Sequence, residues 1–481
     1  MAVSRAESQA TSLVGVPDEL STNSMVRIRA IIVALLAVFC AYAYLRLKNK
    51  RKLENLLAEQ FACKPVIPRV PYKWPFALDL VIRQIKIFFG DHTFEQLTEY
   101  FDIAGTGRIE LFGVTGYFTS NPDNIETILS TRFEDYGLGS RRLASDPLLG
   151  EGIFNKLVRG LKEVSVNGIV DMKPFFFEYT LSTTTELLFG EPHDSLAREE
   201  REAVRSNFDE AAFGMGIRVR LADLAVLYNP PKFRKACKAV RDWASFFARK
   251  ALKYKDEVGE ERASEKNSFI IDLWKGMRDE QLVRDQLLHI LVAGRDATAT
   301  LISWTFFHLV RNPDILERLR QEVSSVPAGS DITRDQIQKL PFLRCCLNEI
   351  LRLYPSLPMN IRFTNKATIL PCGGGADGQS PVMLPKGAGI AWVFRPQRWE
   401  SGDLIKTARP GAGYVDFNGG PRTCLGKDFA LMEASYAVIR ILHAFPDIGL
   451  APGEPNEPVG AERHNYTISL SPTDGVKVSL G

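Results

Sequence analysis

Apolar positions along this chain fall into three patterns, and each predicts a different kind of element. The first is an unbroken run, AIIVALLAVFCAYAYL, residues 30–45: sixteen apolar positions without a charge. As a helix it reaches about 24 Å at about 1.5 Å per residue, a little short of a hydrocarbon core of about 30 Å. Snorkelling of the flanking Arg29 and Arg46 closes much of that gap. Arg46, Lys48, Lys50, Arg51 and Lys52 follow the run, against Arg27 and Arg29 just before it, so the positive-inside rule puts the C-terminal body in the cytosol. A single-pass anchor is expected, with 1–29 as a tail and 30–52 as the anchor and its basic stop. A cleaved signal peptide is the alternative, but the run starts late and lacks a small-residue cleavage pattern.

The second pattern is short alternation broken by glycine and proline. CKPVIPRVPYKWP, residues 63–75, holds four prolines, which fix φ and lack an amide donor, so 53–75 is expected to be a stiff connector. RIELFG (108–113) and GYFTS (116–120) read as strands, and NPDNIETILS (121–130) as a helix start capped by Asn121 ahead of Pro122. Strands and turns return over 361–393, where PCGGGADGQSP (371–381) reads as turn or loop. NYTISLSPTDGVKVSL (465–480) alternates like a hairpin about Asp474-Gly475. The third pattern, long helical periodicity, dominates 173–353. Together these predict one mainly α body with a minor β-sheet region over 76–481.

Composition narrows the function. Apolar residues make up 45% and charged residues 24%, ordinary for a globular protein. A net charge of +3, without a basic patch interleaved with aromatics, argues against nucleic acid. Seven cysteines, at 40, 63, 237, 345, 346, 372 and 424, form no C-x-x-C pair, so neither a disulfide framework nor a zinc site follows and a reducing cytosol is the better expectation.

Three segments carry candidate chemistry. LLHILVAGRDATATLISWTFFHLV (287–310) is apolar on nearly every face and should be a central buried helix; Arg295 and Asp296 at its middle would be costly in lipid. Gly294 there costs about 1 kcal/mol relative to alanine. Either something large packs against it, with Asp296, Thr298 and Thr300 handling protons or water in a dry pocket, or this is a core helix with satisfied polar groups. In PFLRCCLNEILRLYPSLPMNIRF (341–363), Glu349 and Arg352 lie one helical turn apart, usually a weak surface pair. In FNGGPRTCLG (417–426), Cys424 stands just before a helix-forming stretch (425–445), where free amides and the helix dipole favour a thiolate able to bind a metal such as iron. Gly419, Gly420 and Gly426 would let backbone approach a flat ligand, and Arg422 would meet a carboxylate on its rim.

F-x-G-G-x-R-x-C-x-G, Phe417 to Gly426, resembles the haem-binding loop of the cytochrome P450 family. Glu349-Ile350-Leu351-Arg352 resembles the family's E-x-x-R pair, FRPQRW (394–399) its downstream P-E-R segment with Gln397 in place of the acid, and AGRD (293–296) its oxygen-binding helix. Order and spacing agree over roughly residues 60–480. Within the family, AGRDAT, FNGGPRTCLGKDFALMEASY and the CGGGADGQSP loop look most like fungal membrane-bound hydroxylases of alkanes and fatty acids. The resemblance implies a cytochrome P450-like fold behind a transmembrane helix, with haem b (iron protoporphyrin IX) ligated by Cys424. It implies Phe417, Gly419, Gly420, Gly426, Arg422, Arg362 and Gly294 beside the cofactor, Asp296 and Thr298 in proton relay, and a buried ion network of Glu349, Arg352 and Arg398 behind it. Val292, Leu357 and Met359 are expected to face a hydrophobic substrate. It further implies electrons from NADPH through NADPH-cytochrome P450 reductase, at the endoplasmic reticulum membrane.

Three departures bear on this. Where the family's acid is followed directly by threonine, the order here is Asp296-Ala297-Thr298, and Thr298 lies about 100° further round the helix. Residues 155–167, NKLVRGLKEVSVN, contain no counterpart of the family's W-x-x-x-R, whose arginine holds a haem propionate. PKGAGIAWVFRPQRW (385–399) runs from a strand straight into the P-E-R-like segment, where the family carries a longer connection. Two other readings therefore stand beside a long-chain aliphatic hydroxylase: a haem-thiolate isomerase or dehydratase of lipid peroxides, and an inactive or poorly folding truncated homologue lacking two segments.

Overall fold

A computed structural model of the chain describes residues 54–89, 105–111, 114–137, 168–190, 197–327, 332–393, 417–456, 459 and 462–480. They belong to two units, 1–63 and 64–481. In the first, residues 54–60 form a helix. The expected anchor, 30–52, lies outside the described residues, among which no helix is long and apolar enough to cross a membrane.

In the second unit the proline-rich stretch is extended, as its fixed φ values require. Lys64 donates its amide to Pro381 O (2.8 Å) and Val70 its amide to Arg108 O (3.0 Å). Helix α1 (Leu78–Phe89) follows. Strands β1 (Thr106–Leu111) and β2 (Val114–Thr119) pair antiparallel where alternation predicts them. Asn121 then caps α2 (Pro122–Glu126), its Oδ1 accepting from Asp123 N (2.9 Å) and Asn124 N (3.2 Å). Next come β3 (Tyr136–Gly137) and β4 (Ile169–Asp171).

The helical body is α3 (Lys173–Phe189), α4 (Arg198–Leu221), α5 (Pro231–Val258), α6 (Glu260–Met277), α7 (Glu280–Leu309), α8 (Pro313–Val323), α9 (Arg334–Gln338) and α10 (Pro341–Leu353). Helix α7 is the long central element expected over 287–310. Asp279 caps its start through Gln281 N (2.8 Å) and Leu282 N (3.0 Å). Its first half packs into a core with α3 to α6, built on residues such as Phe208, Phe233, Phe247 and Leu287. Its second half enters another with α8, α10 and the later helix α11 (Lys427–Ala444), where Trp304 and Phe306 are fully buried.

Strands β5 (Met359–Thr364), β6 (Thr368–Gly374), β7 (Ser380–Leu384) and β8 (Gly389–Val393) complete the main sheet, in the order β1-β2-β8-β5-β3, and a separate β6-β7 hairpin. The stretch 371–381 is thus not all loop: 371–374 and 380–381 are strand, and only the tip turns. Small strands β9 (Gly449–Leu450), β10 (His464–Tyr466), β11 (Leu470–Pro472) and β12 (Lys477–Ser479) close the chain. The expected hairpin about Asp474-Gly475 is also corrected. β10 pairs with β11 across 467–469, while β12 pairs with β4 and β9. Gly475 does turn the chain, at φ 81°, but it leads β12 away from β11; a Cβ there would lie 2.5 Å from Asp171 Oδ2.

Candidate active site

In the middle of α7 one stripe is open: Ala293 is exposed and Gly294 and Ala297 are half-buried. Positions four apart share a helix face, so Ala293 and Ala297 lie on one open face of α7. Segment 354–358 and strand β5, which follow α10, also carry an open side. Leu357 is 46% exposed, and Met359 to Phe363 are half-buried throughout. Ser356 donates its hydroxyl to Ala297 O (2.8 Å), joining that segment to α7 at the stripe.

The Cys424 loop is fixed by backbone geometry. Cys424 N donates to Phe417 O (2.8 Å), and a 3₁₀ turn, Gly420–Arg422, lies between them. Gly420 has φ 58°, and a Cβ would fall 2.3 Å from Leu129 O, so only glycine fits. Gly419 is extended, a conformation any residue adopts. At Gly426 a Cβ would stand 3.9 Å from Cys424 Sγ, so glycine keeps one flank of the sulfur clear. Cys424 and Arg422 are exposed. Phe417 packs on the core of α10 and α11, with Lys427 Nζ 5.5 Å from its ring.

Behind the stripe the polar groups are buried. Arg295 Nη2 lies 2.6 Å from Asp209 Oδ1 on α4, and Nη1 lies 3.3 Å from Asp296 Oδ1. Burial pushes the Asp296 carboxyl up to about 6, against the pull of Arg295. Thr298, expected in proton relay beside the cofactor, is 1% exposed and turned instead toward Glu433 of α11. Thr183 of α3 donates to the same carboxyl. Thr298 Oγ1 lies beside that carboxyl but completes no hydrogen bond among the described residues. Burial pushes Glu433 up to about 8, while the Thr183 and Thr298 hydroxyls pull the other way. Glu433 escapes a motif-based reading; its one signal is an acid at the centre of an apolar helix, FALMEASYAV.

Other expected site residues divide. The side of Gly294 where a Cβ would project is filled by Thr184 of α3, 3.0 Å to Cγ2, so the close approach there is helix on helix rather than cofactor on helix. Val292 is 7% exposed and packs in the core of α3 to α6, off the open stripe. Leu357 borders the open side, and Met359 packs against the small cluster of Val70, Ala77, Leu80 and Phe118. Arg362 is half-buried on β5, its Nη1 donating to Ile361 O (3.0 Å). Glu349 and Arg352 are paired, Nε to Oε2 at 2.7 Å. Their side chains are 54% and 20% exposed, so the pairing is seen and the expected burial is not. Arg398, expected as their partner, lies outside the described residues.

These residues fit an iron porphyrin. Glu433, six residues after Lys427, lies beside the turn at Thr298, so the start of α11 lies about 9 Å along the helix from that point. An exposed thiol, the wholly exposed Leu425 (104%) and the exposed Ala293 leave apolar surface that a flat apolar group would cover. The donor is a lone sulfur, and no group of three metal-ligating side chains occurs among the described residues. That suits a metal whose other ligands come from its own macrocycle.

A profile of the family described as "Cytochrome P450" matches residues 151–371 and 391–458. A cytochrome P450 of Arthroderma benhamiae is 34% identical over 94% of this chain and 98% of its own length. Cytochrome P450 52A13 of Debaryomyces hansenii is 32% identical, over 84% of this chain and 89% of its own. A cytochrome P450 monooxygenase, himC, of Aspergillus japonicus is 32% identical over 84% and 81%. With the motif, the loop and the matched length in agreement, the chain belongs to the cytochrome P450 family of haem b monooxygenases.

Proposed function

We propose that the protein is a membrane-anchored haem-thiolate monooxygenase of the endoplasmic reticulum. It places one atom of dioxygen into an aliphatic C–H bond of long-chain substrates, n-alkanes or fatty acids, with electrons from NADPH through NADPH-cytochrome P450 reductase. The observation that carries this reading is the Cys424 loop: an exposed thiol just ahead of α11, on a backbone that only glycine at 420 allows. When bound, the haem would supply oxygen activation, with Cys424 as its axial ligand.

The chain's residues supply the rest. Arg422 and Arg362 would hold the propionates, and Phe417 would steady the loop from the core side. Ala293, Ala297 and Leu357 present apolar side chains that are not fully buried, which would suit an alkyl chain. Asp296 sits one residue from the stripe with a carboxyl raised to about 6, so it would exchange protons near neutral pH. Glu349 and Arg352, with Arg398, would brace the fold behind the cofactor.

Cys424→Ser should abolish the thiolate-type carbon monoxide difference spectrum; an unchanged spectrum refutes the ligand assignment. Alanine at 297 favours a second reading, isomerisation or dehydration of a lipid peroxide, which needs no dioxygen activation. Turnover of a lipid hydroperoxide without NADPH or reductase would select it.

A further inference from the structure

The open stripe of α7 has no side-chain hydroxyl of its own. Ala293 and Ala297 line the open face, Thr298 turns to Glu433, and Thr300 is fully buried. A hydroxyl reaches the stripe from another segment. Ser356 Oγ lies 2.8 Å from Ala297 O, and Thr300 Oγ1 lies 3.0 Å from the same carbonyl and 3.2 Å from Ser356 Oγ. We propose that Ser356 is the alcohol that delivers protons at the Ala297 turn, an assignment that rests on the haem-thiolate monooxygenase reading above.

Hydrogen-bond capacity makes this physically reasonable. A hydroxyl carries one proton and two acceptor sites. Both Thr300 and Ser356 can donate to Ala297 O, so the carbonyl keeps a partner when Ser356 rotates its proton toward the open face. Thr300, fully buried, has no such freedom. Ser356 is half-buried and adjoins the exposed Leu357, on the open side.

The backbone at 356 is held in place, as a relay group needs. Pro355 and Pro358 restrict φ on either side, and Leu470 N donates to Ser356 O (3.1 Å). A proton that Ser356 Oγ gives up at the open face would be replaced from water, so the serine would end each cycle unchanged. Two electrons from NADPH and two protons accompany each dioxygen whether the outcome is product with water or, when delivery fails, hydrogen peroxide.

The test uses the full-length, haem-loaded protein and compares Ser356→Ala with Ala297→Thr/Ser356→Ala. General acid–base groups contribute about 10²–10⁴-fold, so Ser356→Ala should lower product formation from a long-chain fatty acid about 10²-fold and release peroxide instead. Its ferrous carbon monoxide complex should show a shifted C–O stretch that no longer responds to D2O, a signature that packing alone does not move. The double variant, with a hydroxyl back on the helix, should recover both. A Ser356→Ala protein that keeps the thiolate-type band, the wild-type C–O stretch and the wild-type product per NADPH overturns the assignment alone. A double variant no better than Ser356→Ala overturns it too. Wild-type protein without the thiolate-type band overturns the haem-thiolate reading and this assignment with it.

Discussion

Arg295 places Nη2 2.6 Å from Asp209 Oδ1, tying the central helix to α4 through a guanidinium that is itself almost fully buried. The two ends of this contact are unequal. The Asp209 side chain is 56% exposed, whereas the Asp296 carboxylate on the other side of Arg295 is 7% exposed. The guanidinium also lies over Phe208 (4.7 Å) and Phe177 (5.2 Å), so its desolvation is offset by ring faces as well as by charge. Removing the cation strands a buried acid; removing Asp209 strands nothing, because Asp296 remains. Arg295→Met should therefore destabilise the fold by about 3–5 kcal/mol. Asp209→Asn should cost less than about 1 kcal/mol. Urea unfolding of the two variants checks the ratio, and equal losses would refute the asymmetry.

Gly294 faces Thr184, which is pinned by its own hydrogen bond to Thr180 O (2.7 Å). A Cβ at 294 would meet Thr184 Cγ2 at 3.0 Å and Oγ1 at 3.2 Å. Gly294→Ala should thus destabilise, overpacking of about 1–3 kcal/mol exceeding the helix-propensity gain of about 1 kcal/mol. In a Thr184→Ala background the crowding disappears and the same substitution should stabilise. Thermal unfolding of the four-protein cycle measures this change of sign.

What the sequence discloses about this site follows from how local the cause is. The Cys424 loop is legible because one short segment contains the thiol, the glycine whose φ is positive and the helix start that follows. The central helix is legible because it is apolar all round, which only a buried element tolerates. Glu433 is not legible in the same way: its partners Thr183 and Thr298 lie on two other helices, and their meeting is a matter of tertiary packing. Gly294 shows the same limit, since a helix glycine signals close approach without saying of what. Asp474-Gly475 marks a true turn, yet the turn chemistry is identical whether the next strand pairs with β11 or crosses to β4.

Gly420 and Gly426 should separate under mutation although both sit in the same loop. Alanine at 420 would have to hold φ 58° and place its Cβ 2.3 Å from a backbone oxygen that cannot move aside. Alanine at 426 would meet Cys424 Sγ at an ordinary 3.9 Å. Purified Gly420→Ala should therefore retain well under half the haem per chain of wild type, and Gly426→Ala most of it. Haem-to-protein absorbance ratios decide between this and a uniform sensitivity of the loop.

Glu433 gives the fold a pH dependence whose sign is fixed by its environment. Its carboxyl rises from an ordinary 4.5 to about 8, because burial penalises the charge more than the Thr183 and Thr298 hydroxyls favour it. A raised acid stabilises the fold while protonated, fully so below the unfolded-state value, and the contribution is lost as pH climbs through the folded-state value. Two other buried groups titrate lower: Asp296 at about 6, and His308, which burial presses down to about 4. Between roughly pH 6.5 and 8 Glu433 is therefore the main buried carboxyl still changing state, and it should remove about 2 kcal/mol of stability across that window. Glu433→Gln keeps an uncharged group of similar shape and carries no proton to lose. Denaturant midpoints of the wild type should fall from pH 6.5 to 8 while those of the variant stay level. Parallel slopes would mean that the carboxyl is already ionised in the folded protein, against the burial that surrounds it.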